Sequence, residues 1–432
     1  MPIANILGVI VILGVAIGFS ENRKAINYNN AGRTLGLQFF IALLALAVPF
    51  GTIALDKVSG VITHVITYAN EGMVFVFGEL AKWGSVEAAF GSATGQKGVG
   101  TILAFQVFPI IIFLATLFAI LFHLKIMDLI IKLIGGAVRF ITGASRLEST
   151  VSAASIFVGM VEAPLAILPY LKKMTRSQLF TVMSCGMASI AGTVLVVYIS
   201  LGVEAKLLII ASFMAAPGGL LMGKLLIPET ETPFDIAQFK GTQEEDDPNK
   251  ATNLIEAATT GALTGLEIML NVVAVIIAFV AVIALVNGMF SGIGGMFGHP
   301  EFSLEIVFGY VFAPIAWLIG VPADEVFRAG PFLGQKLVAN EFLAYLNFTQ
   351  DMSNFSLQGQ VAITVALCGF ANFVGVGILM AGLGAVVPER KKEISMLGMK
   401  SLLAGSLSNF MSAALVGIAL WIAALMGLSP LG

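Results

Sequence analysis

Apolar residues dominate long runs of this chain, and short polar stretches separate these runs. Eight runs cover residues 3–20, 36–54, 101–124, 178–203, 206–227, 262–290, 358–388 and 402–428. About 20 consecutive apolar residues in a helix are enough to cross the hydrocarbon core of a bilayer. The pattern therefore predicts an all-α polytopic membrane protein with eight transmembrane helices.

Basic residues between the runs predict which loops face the cytoplasm, because lysine and arginine concentrate on that side. Arg146 and Lys172 flank an apolar stretch long enough to cross, yet both belong to basic clusters. This stretch must enter and return, so we predict a re-entrant hairpin with its turn at residues 159–164. The parity of the later crossings predicts a second hairpin near residues 329–348, entering from the opposite face. The four basic clusters are Arg23/Lys24/Arg33, Lys125/Lys132/Arg139/Arg146, Lys172/Lys173/Arg176 and Arg390/Lys391/Lys392/Lys400.

The order of elements then repeats. Residues 147–227 and 329–428 each contain a hairpin, an interrupted helix and a helix, with small or polar interruptions at residues 186–192 and 370–377. Inverted repeats with interrupted helices are typical of secondary transporters, which bind their substrate near the bilayer midplane. The sequence therefore predicts an inverted-repeat transport domain.

Each predicted hairpin carries one carboxylate near its turn. Glu162 lies in an apolar run of the first hairpin, and Glu341 follows Asn340 in the second. A charge at bilayer depth costs roughly 2.5–3.5 kcal/mol on insertion scales, so such residues usually line a pathway or contact a substrate. Glu162 and Glu341 are therefore the principal candidates for substrate contact.

Six segments follow from this topology. We predict scaffold helices and an interfacial helix, near residues 125–145, in the first segment, and an interfacial segment ahead of the second hairpin. The acidic run at residues 244–247 is expected to be a solvated loop, and a helix is expected near residues 74–83. The segments are the scaffold 1–145, the first transport repeat 146–227, a polar connection 228–261, a scaffold helix 262–290, the interfacial segment 291–328 and the second transport repeat 329–432.

Composition narrows the function. Hydrophobic residues make up 58% of the chain and charged residues 11%. The net charge is −3, whereas proteins that bind nucleic acid usually carry an excess of positive charge. No HExxH zinc motif or convergent Ser/His/Asp group occurs, which argues against an intramembrane hydrolase. A channel is the other rival, but two hairpins entering from opposite faces suit alternating access better than a continuous pore.

Three motifs resemble those of the concentrative nucleoside transporters. They are GMVEAPL at residues 159–165 with Pro169-Tyr170 behind it, NEF at residues 340–342, and CGFAN at residues 368–372. The resemblance runs over nearly the whole chain. It implies a homotrimer with a scaffold near the threefold axis, and a transport domain that carries nucleoside by an elevator-like movement. No cofactor is implied, and the expected location is the bacterial inner membrane.

The resemblance also implies roles for individual residues. The first hairpin tip would bind the nucleobase, and the second tip with the interrupted seventh helix would bind the ribose. A sodium ion would lie between the first hairpin and the first interrupted helix. The implied base residues are Gly159, Met160, Val161 and Glu162; those at the ribose are Asn340, Glu341, Phe370, Asn372 and Gly375; those at the sodium ion are Ser155, Val158, Ser189 and Ile190.

Four positions depart from the family pattern. Many members have glutamine and then threonine or serine at Met160 and Val161, and serine at Gly375, so three polar contacts are missing. We predict an altered base selectivity, toward purine nucleosides or a substrate bound by shape.

Ser155 replaces an asparagine of the sodium cage, which leaves two coupling ions open: sodium, or a proton carried by Glu162 or Glu341. A symporter of another small polar solute is the alternative function.

Overall fold

The computed structural model describes residues 3–82, 102–234 and 251–428. Within these ranges the chain forms helices and no strand, which confirms the all-α class. The acidic run at residues 244–247 and the end of the helix expected near residues 74–83 lie outside the described residues. The α-helices are α1 (Ile3–Gly18), α2 (Tyr28–Ala47), α3 (Pro49–Phe77), α4 (Leu103–Gln106), α5 (Ile110–His123), α6 (Ile126–Thr142), α7 (Arg146–Ala154), α8 (Arg176–Ala188), α9 (Gly192–Ser200), α10 (Ala205–Leu226), α11 (Leu254–Met296), α12 (Leu304–Leu318), α13 (Val326–Val338), α14 (Glu341–Asp351), α15 (Leu357–Leu367), α16 (Phe373–Val386) and α17 (Lys391–Leu425).

Within the described residues each predicted span overlaps helical structure, although the span 36–54 crosses the boundary between α2 and α3 at Val48. Six stretches of the described chain are long and apolar enough to cross a bilayer. The remaining predicted spans fall on the shorter apolar helices α1, α15 and α16. The number of crossings stays a prediction. The six stretches are Tyr28–Ala47, Leu103–His123, Arg176–Ser200, Ala205–Leu226, Leu254–Met296 and Pro388–Leu425.

Helices α10 and α17 form the centre of the packing. Both contact α2 and α8, and α17 also packs against α1, α15 and α16. Glycines allow close approach: a Cβ on Gly219 of α10 would lie 2.6 Å from the Cα of Cys185 in α8. Small residues at helix interfaces are the usual way in which membrane helices gain van der Waals contact. The two predicted repeats therefore share one tightly packed core.

Helix α11 is the most exposed of the long helices. It packs against α5, where Cβ atoms on Gly261 and Gly265 would lie 2.7 Å from Ala119 and Ile112. Large apolar side chains elsewhere on α11, such as Leu270 at 56% and Ile277 at 66% exposure, face outward. This surface is suited to lipid or to another subunit.

Four interruptions divide the two predicted repeats. Helix α7 is followed by irregular backbone and the 3-10 segment Ala163–Lys173, and α13 is separated from α14 only by Ala339 and Asn340. We call residues 159–162 the first tip and residues 340–341 the second tip. Between α8 and α9 lies the first break, residues 189–191; between α15 and α16 lies the second break, residues 368–372.

The second break ends earlier than residues 370–377, the predicted interruption. Asn372 is the N-cap of α16, and its Oδ1 accepts a hydrogen bond of 2.5 Å from the backbone N–H of Gly375. Asparagine is a strong N-cap because its side chain satisfies a backbone donor that the helix leaves unpaired. The helix therefore resumes at Phe373 despite the glycines that follow.

Helix α6 has the two faces expected of the interfacial helix. Its buried positions follow a helical period, whereas Lys132 and Arg139 are exposed. Its location in the interface stays a prediction, as do the bounds of the six segments. Helix α11 begins at Leu254, within the stretch taken as a polar connection, and α12 occupies part of the stretch 291–328.

An ion pair between the half-buried Lys224 and the buried Glu148 joins α7 to α10. The Nζ atom of Lys224 lies 2.6 Å from Oε1 of Glu148, whose side chain is 2% exposed. The same Nζ donates to Ser177 Oγ at 3.0 Å and lies 3.3 Å from Glu229. Oε2 of Glu148 accepts from the backbone N–H of Ser145 at 3.1 Å, which completes a capping box at the start of α7. The base of the predicted first hairpin is thus tied to the central helix α10.

Candidate functional site

Glu341 of the second tip is a buried carboxylate at the start of a helix. It is the first residue of α14 and is 4% exposed. Asn340 is the N-cap, and its Oδ1 accepts a 2.8 Å hydrogen bond from the backbone N–H of Leu343. The positive end of a helix dipole favours an anion in this position. Asn340 therefore shapes the turn that presents Glu341.

Both oxygens of Glu341 accept hydrogen bonds from distant parts of the chain. The Tyr198 hydroxyl donates to Oε1 at 3.0 Å, and the Asn372 amide donates to Oε2 at 2.8 Å. Tyr198 lies on α9, in the predicted first repeat, and Asn372 lies at the second break. One carboxylate thus joins the two predicted repeats.

Tyr198 was not identified from the sequence. Its ring centroid lies 4.5 Å from that of Tyr345 and 5.7 Å from that of Phe342, both on α14. The Tyr345 hydroxyl donates to the carbonyl of Thr364 in α15 at 2.6 Å. A tyrosine within an apolar run has no distinguishing local pattern, so only its fully buried hydroxyl beside Glu341 reveals the role.

The second break lies against the first. The backbone N–H of Phe370 donates to the carbonyl of Ser189 at 3.0 Å. Gly375, which departs from the family's serine, is forced by the local backbone: a Cβ at this position would collide with the carbonyl oxygen of Phe370. Hydrogen bonds and backbone contacts therefore connect the second tip to the second break. They link four of the residues predicted at the ribose: Glu341, Phe370, Asn372 and Gly375.

The first tip has two packing residues and one exposed carboxylate. Met160 is 6% exposed and lies against α8, where a Cβ on Gly186 would be 2.9 Å from its own. Val161 lies against α16, because a Cβ on Gly382 would be 2.6 Å from Val161 Cγ1. Neither side chain offers a hydrogen bond. Gly159 is half-buried and lies directly under the carboxylate of Glu162.

Glu162 and Glu341 have different surroundings. Glu162 is exposed and lines a cavity of about 790 Å³ whose other walls come from α6, α7 and the 3-10 segment Ala163–Lys173. Glu341 is buried behind Tyr198 and Asn372. The structure thus unites the predicted ribose residues and leaves Glu162 at the wall of an open cavity.

The four residues predicted at a sodium ion lie at one junction. Ser155 and Val158 follow α7, and Ser189 and Ile190 lie in the first break. The two segments are joined by a 2.9 Å hydrogen bond from the Gly192 N–H to the Phe157 carbonyl.

The chemistry of this junction suits a hard cation. The Ser155 hydroxyl donates to the Val151 carbonyl at 2.8 Å, and that of Ser189 donates to the Gly186 carbonyl at 3.2 Å, so each keeps lone pairs. Val158 and Ile190 lie outside helices, so their carbonyls belong to no helical ladder. Hard cations take oxygen ligands such as these.

Comparison with known proteins identifies the family. The model of the Na+ dependent nucleoside transporter N-terminus matches residues 7–80, that of nucleoside recognition matches 104–204, and that of the Na+ dependent nucleoside transporter C-terminus matches 207–417. An uncharacterised transporter of Haemophilus influenzae is 44% identical over 96% of this chain and 97% of its own. The nucleoside permease NupC of Helicobacter pylori is 41% identical over 96% of this chain and 97% of its own.

Solved structures agree with these matches. CNTnw in an inward-facing, substrate-bound state has a TM-score of 0.91 and 42% identity, covering 99% of this chain and 100% of that one. A CNTnw variant in an outward-facing state also has a TM-score of 0.91, over 97% of this chain and 99% of its own. With three family models along its length and these relatives, the chain belongs to the concentrative nucleoside transporter family.

Proposed function

We propose that this protein is a cation-coupled symporter that imports nucleosides across the bacterial inner membrane by alternating access. The observation that carries the proposal is the buried Glu341 carboxylate, held by Tyr198 and Asn372 from the two predicted repeats. A carboxylate buried at membrane depth is costly, so its presence at this junction favours a substrate role. The relatives named as nucleoside permeases support a nucleoside as the substrate.

The ribose would bind at the second tip and second break. A carboxylate accepts hydrogen bonds only and has about four lone-pair sites, so the donors Tyr198 and Asn372 do not use all of those on Glu341. These lone pairs suit sugar hydroxyls. The Asn372 side chain is engaged on both ends, so it orients Glu341 and shapes the backbone turn at Phe370 and Gly375.

The nucleobase would bind at the first tip, near Gly159, Met160, Val161 and Glu162. Met160 and Val161 supply apolar contact only, whereas Glu162 can accept hydrogen bonds from a base edge. The cavity beside Glu162 would open the site to one side of the membrane.

The moving body in an elevator mechanism would be the tightly packed core. The first tip and both breaks lie on helices that contact α10 or α17, and the helices of the second tip contact α15, which packs against both. Helix α11, which contacts chiefly α5 and leaves a long apolar face exposed, would form the stationary scaffold. That face would meet its symmetry copies in a homotrimer.

A nucleoside panel tests the proposed substrate and the base preference. A hydrophobic pocket discriminates by only about 10–200-fold between related ligands, whereas a pocket that hydrogen-bonds its ligand reaches about 10⁴-fold or more. Uptake into proteoliposomes should therefore differ by less than about 200-fold among purine and pyrimidine nucleosides, because Met160 and Val161 offer no hydrogen bond. Met160→Gln should sharpen the preference. No uptake of any nucleoside, or a strict uridine preference in the unmodified protein, would contradict this prediction.

A sodium replacement tests the coupling ion. The four oxygen atoms at the junction of α7 and the first break are suitable sodium ligands, which supports sodium as the coupling ion. Replacing sodium by choline at fixed pH should therefore abolish concentrative uptake. Ser155→Ala should raise the sodium concentration needed for half-maximal uptake by about tenfold, the effect of roughly 1.4 kcal/mol. Ser152→Ala is the matched control, because Ser152 is also buried on α7 but lies outside the junction. Uptake that ignores sodium and follows a pH gradient would instead assign the coupling to a carboxylate.

A further inference from the structure

A buried lysine lies one turn before the second tip. Lys336 of α13 is 2% exposed, and its Nζ donates to the Ala366 carbonyl at 2.6 Å and to Asn409 Oδ1 at 2.7 Å. Removing an ammonium from water costs several kcal/mol unless hydrogen bonds and opposite charge compensate. Lys336 was not identified from the sequence, although a cation in this hairpin is as costly to bury as the carboxylate of Glu341.

Asn409 extends this contact to both breaks. It lies on α17 and is 1% exposed, and its Nδ2 donates to the Ala188 carbonyl at 2.7 Å and to the Cys368 carbonyl at 2.9 Å. Ala188 is the last residue of α8, and Cys368 directly follows α15. The last carbonyls of a helix have no partner within the helix and carry partial negative charge. Lys336 and Asn409 therefore satisfy the ends of both interrupted helices.

The surroundings leave little freedom for this arrangement. A Cβ at Gly369 would lie 2.6 Å from the Ala188 carbonyl oxygen, so the two breaks cross in direct contact. On the other leg of the predicted second hairpin, Tyr345 donates to Thr364 of α15. Both legs, α13 and α14, thus hold the end of α15.

We propose that Lys336 and Asn409 form a positioning clamp, which sets the second tip against the second break so that Glu341, oriented by Asn372, can hold the ribose hydroxyls. Neither residue needs to touch the nucleoside. The clamp acts by fixing α13 and the second break to each other through the hydrogen bonds of Lys336 to Ala366 and Asn409. This inference rests on the proposed ribose role of Glu341.

The test compares a ribonucleoside with its 2′,3′-dideoxy analogue. Binding of both ligands to the purified full-length protein is measured by calorimetry, and the ratio of the two affinities reports the use of the ribose hydroxyls. Lys336→Met should weaken ribonucleoside binding by about 30-fold, or roughly 2 kcal/mol, and leave the dideoxy analogue within about threefold. The ratio of ribonucleoside affinity to dideoxy-analogue affinity therefore falls by about tenfold or more. A general loss of stability would weaken the binding of both ligands equally and leave this ratio unchanged.

Gln335→Ala is the matched control. Gln335 is the neighbouring buried residue on α13, and its Oε1 accepts a 2.9 Å hydrogen bond from Asn347 on α14. This hydrogen bond involves neither break. It should leave the ratio unchanged. Should Lys336→Met fail to fold, Asn409→Ser provides the second variant, because a serine hydroxyl cannot donate to two carbonyls at once; it should lower the ratio at least fivefold.

The possible outcomes separate the two proposals. If the unmodified protein binds both ligands equally, the ribose role of Glu341 is wrong. If it discriminates, but Lys336→Met or Asn409→Ser retains the full ratio or weakens both ligands alike, the clamp is wrong and the ribose role stands. A ratio lost in the clamp variants and kept in Gln335→Ala supports both.

Discussion

Glu341→Gln is expected to lower nucleoside uptake into proteoliposomes by more than about 100-fold, since hydrogen bonds to a charged group contribute about 1.5–3 kcal/mol each and the carboxylate serves both protein and ribose. The amide NH2 of glutamine must oppose either the Tyr198 hydroxyl or the Asn372 amide, both of which donate to Glu341. Lys336 keeps its hydrogen bonds to Ala366 and Asn409 in this variant, so expression should be retained.

Tyr198→Phe is a milder variant, which removes one protein donor to Glu341 and keeps the carboxylate. It keeps the ring that packs against Tyr345 and Phe342 and removes only the donor to Oε1 of Glu341. We expect about a tenfold rise in KM, equivalent to roughly 1.4 kcal/mol, with folding intact. Full activity of Glu341→Gln, or equal losses in the two variants, would show that the carboxylate is structural.

Lys224→Met is expected to destabilise the protein by about 3–5 kcal/mol, because it leaves the buried carboxylate of Glu148 without its cation. The apparent Tm in detergent should fall by about 5–15 °C, at a few degrees per kcal/mol. The hydrogen bond to Ser177 and the contact with Glu229 are lost as well. The double variant Glu148→Gln/Lys224→Met should recover most of the loss, because no uncompensated charge then stays buried.

An exposed pair of the same length provides the control. Lys172 lies 2.6 Å from Glu389, the distance that also separates Lys224 from Glu148, but both of its side chains are 59% exposed. Exposed pairs contribute about 0–1 kcal/mol, so Lys172→Met should change the Tm by only a few degrees. Similar losses in Lys172→Met and Lys224→Met would mean that burial of Glu148 has no part in the effect.

The sequence singled out both Glu341 and Glu162, but it did not predict how differently the two carboxylates are exposed to solvent. Glu341 was singled out because a charge in an apolar run is costly, and the structure places it in a buried, doubly bonded position. The same reasoning selected Glu162, which the structure leaves exposed beside a cavity. Hydropathy signals that a charge is unusual in its run; it does not say whether water reaches that charge.

The lengths of the apolar runs and the polar residues at the tips were enough to establish the helical membrane class, the existence of long apolar helices and the family. These properties depend on neighbours along the chain, and helical periodicity and hydropathy report on such neighbours. The contacts of Tyr198 with Glu341, and of Asn409 with Ala188, were decided only by the tertiary structure. Apolar side chains face lipid and protein alike in a membrane, so hydropathy cannot tell which helix faces meet, and only packing brings these distant polar groups together.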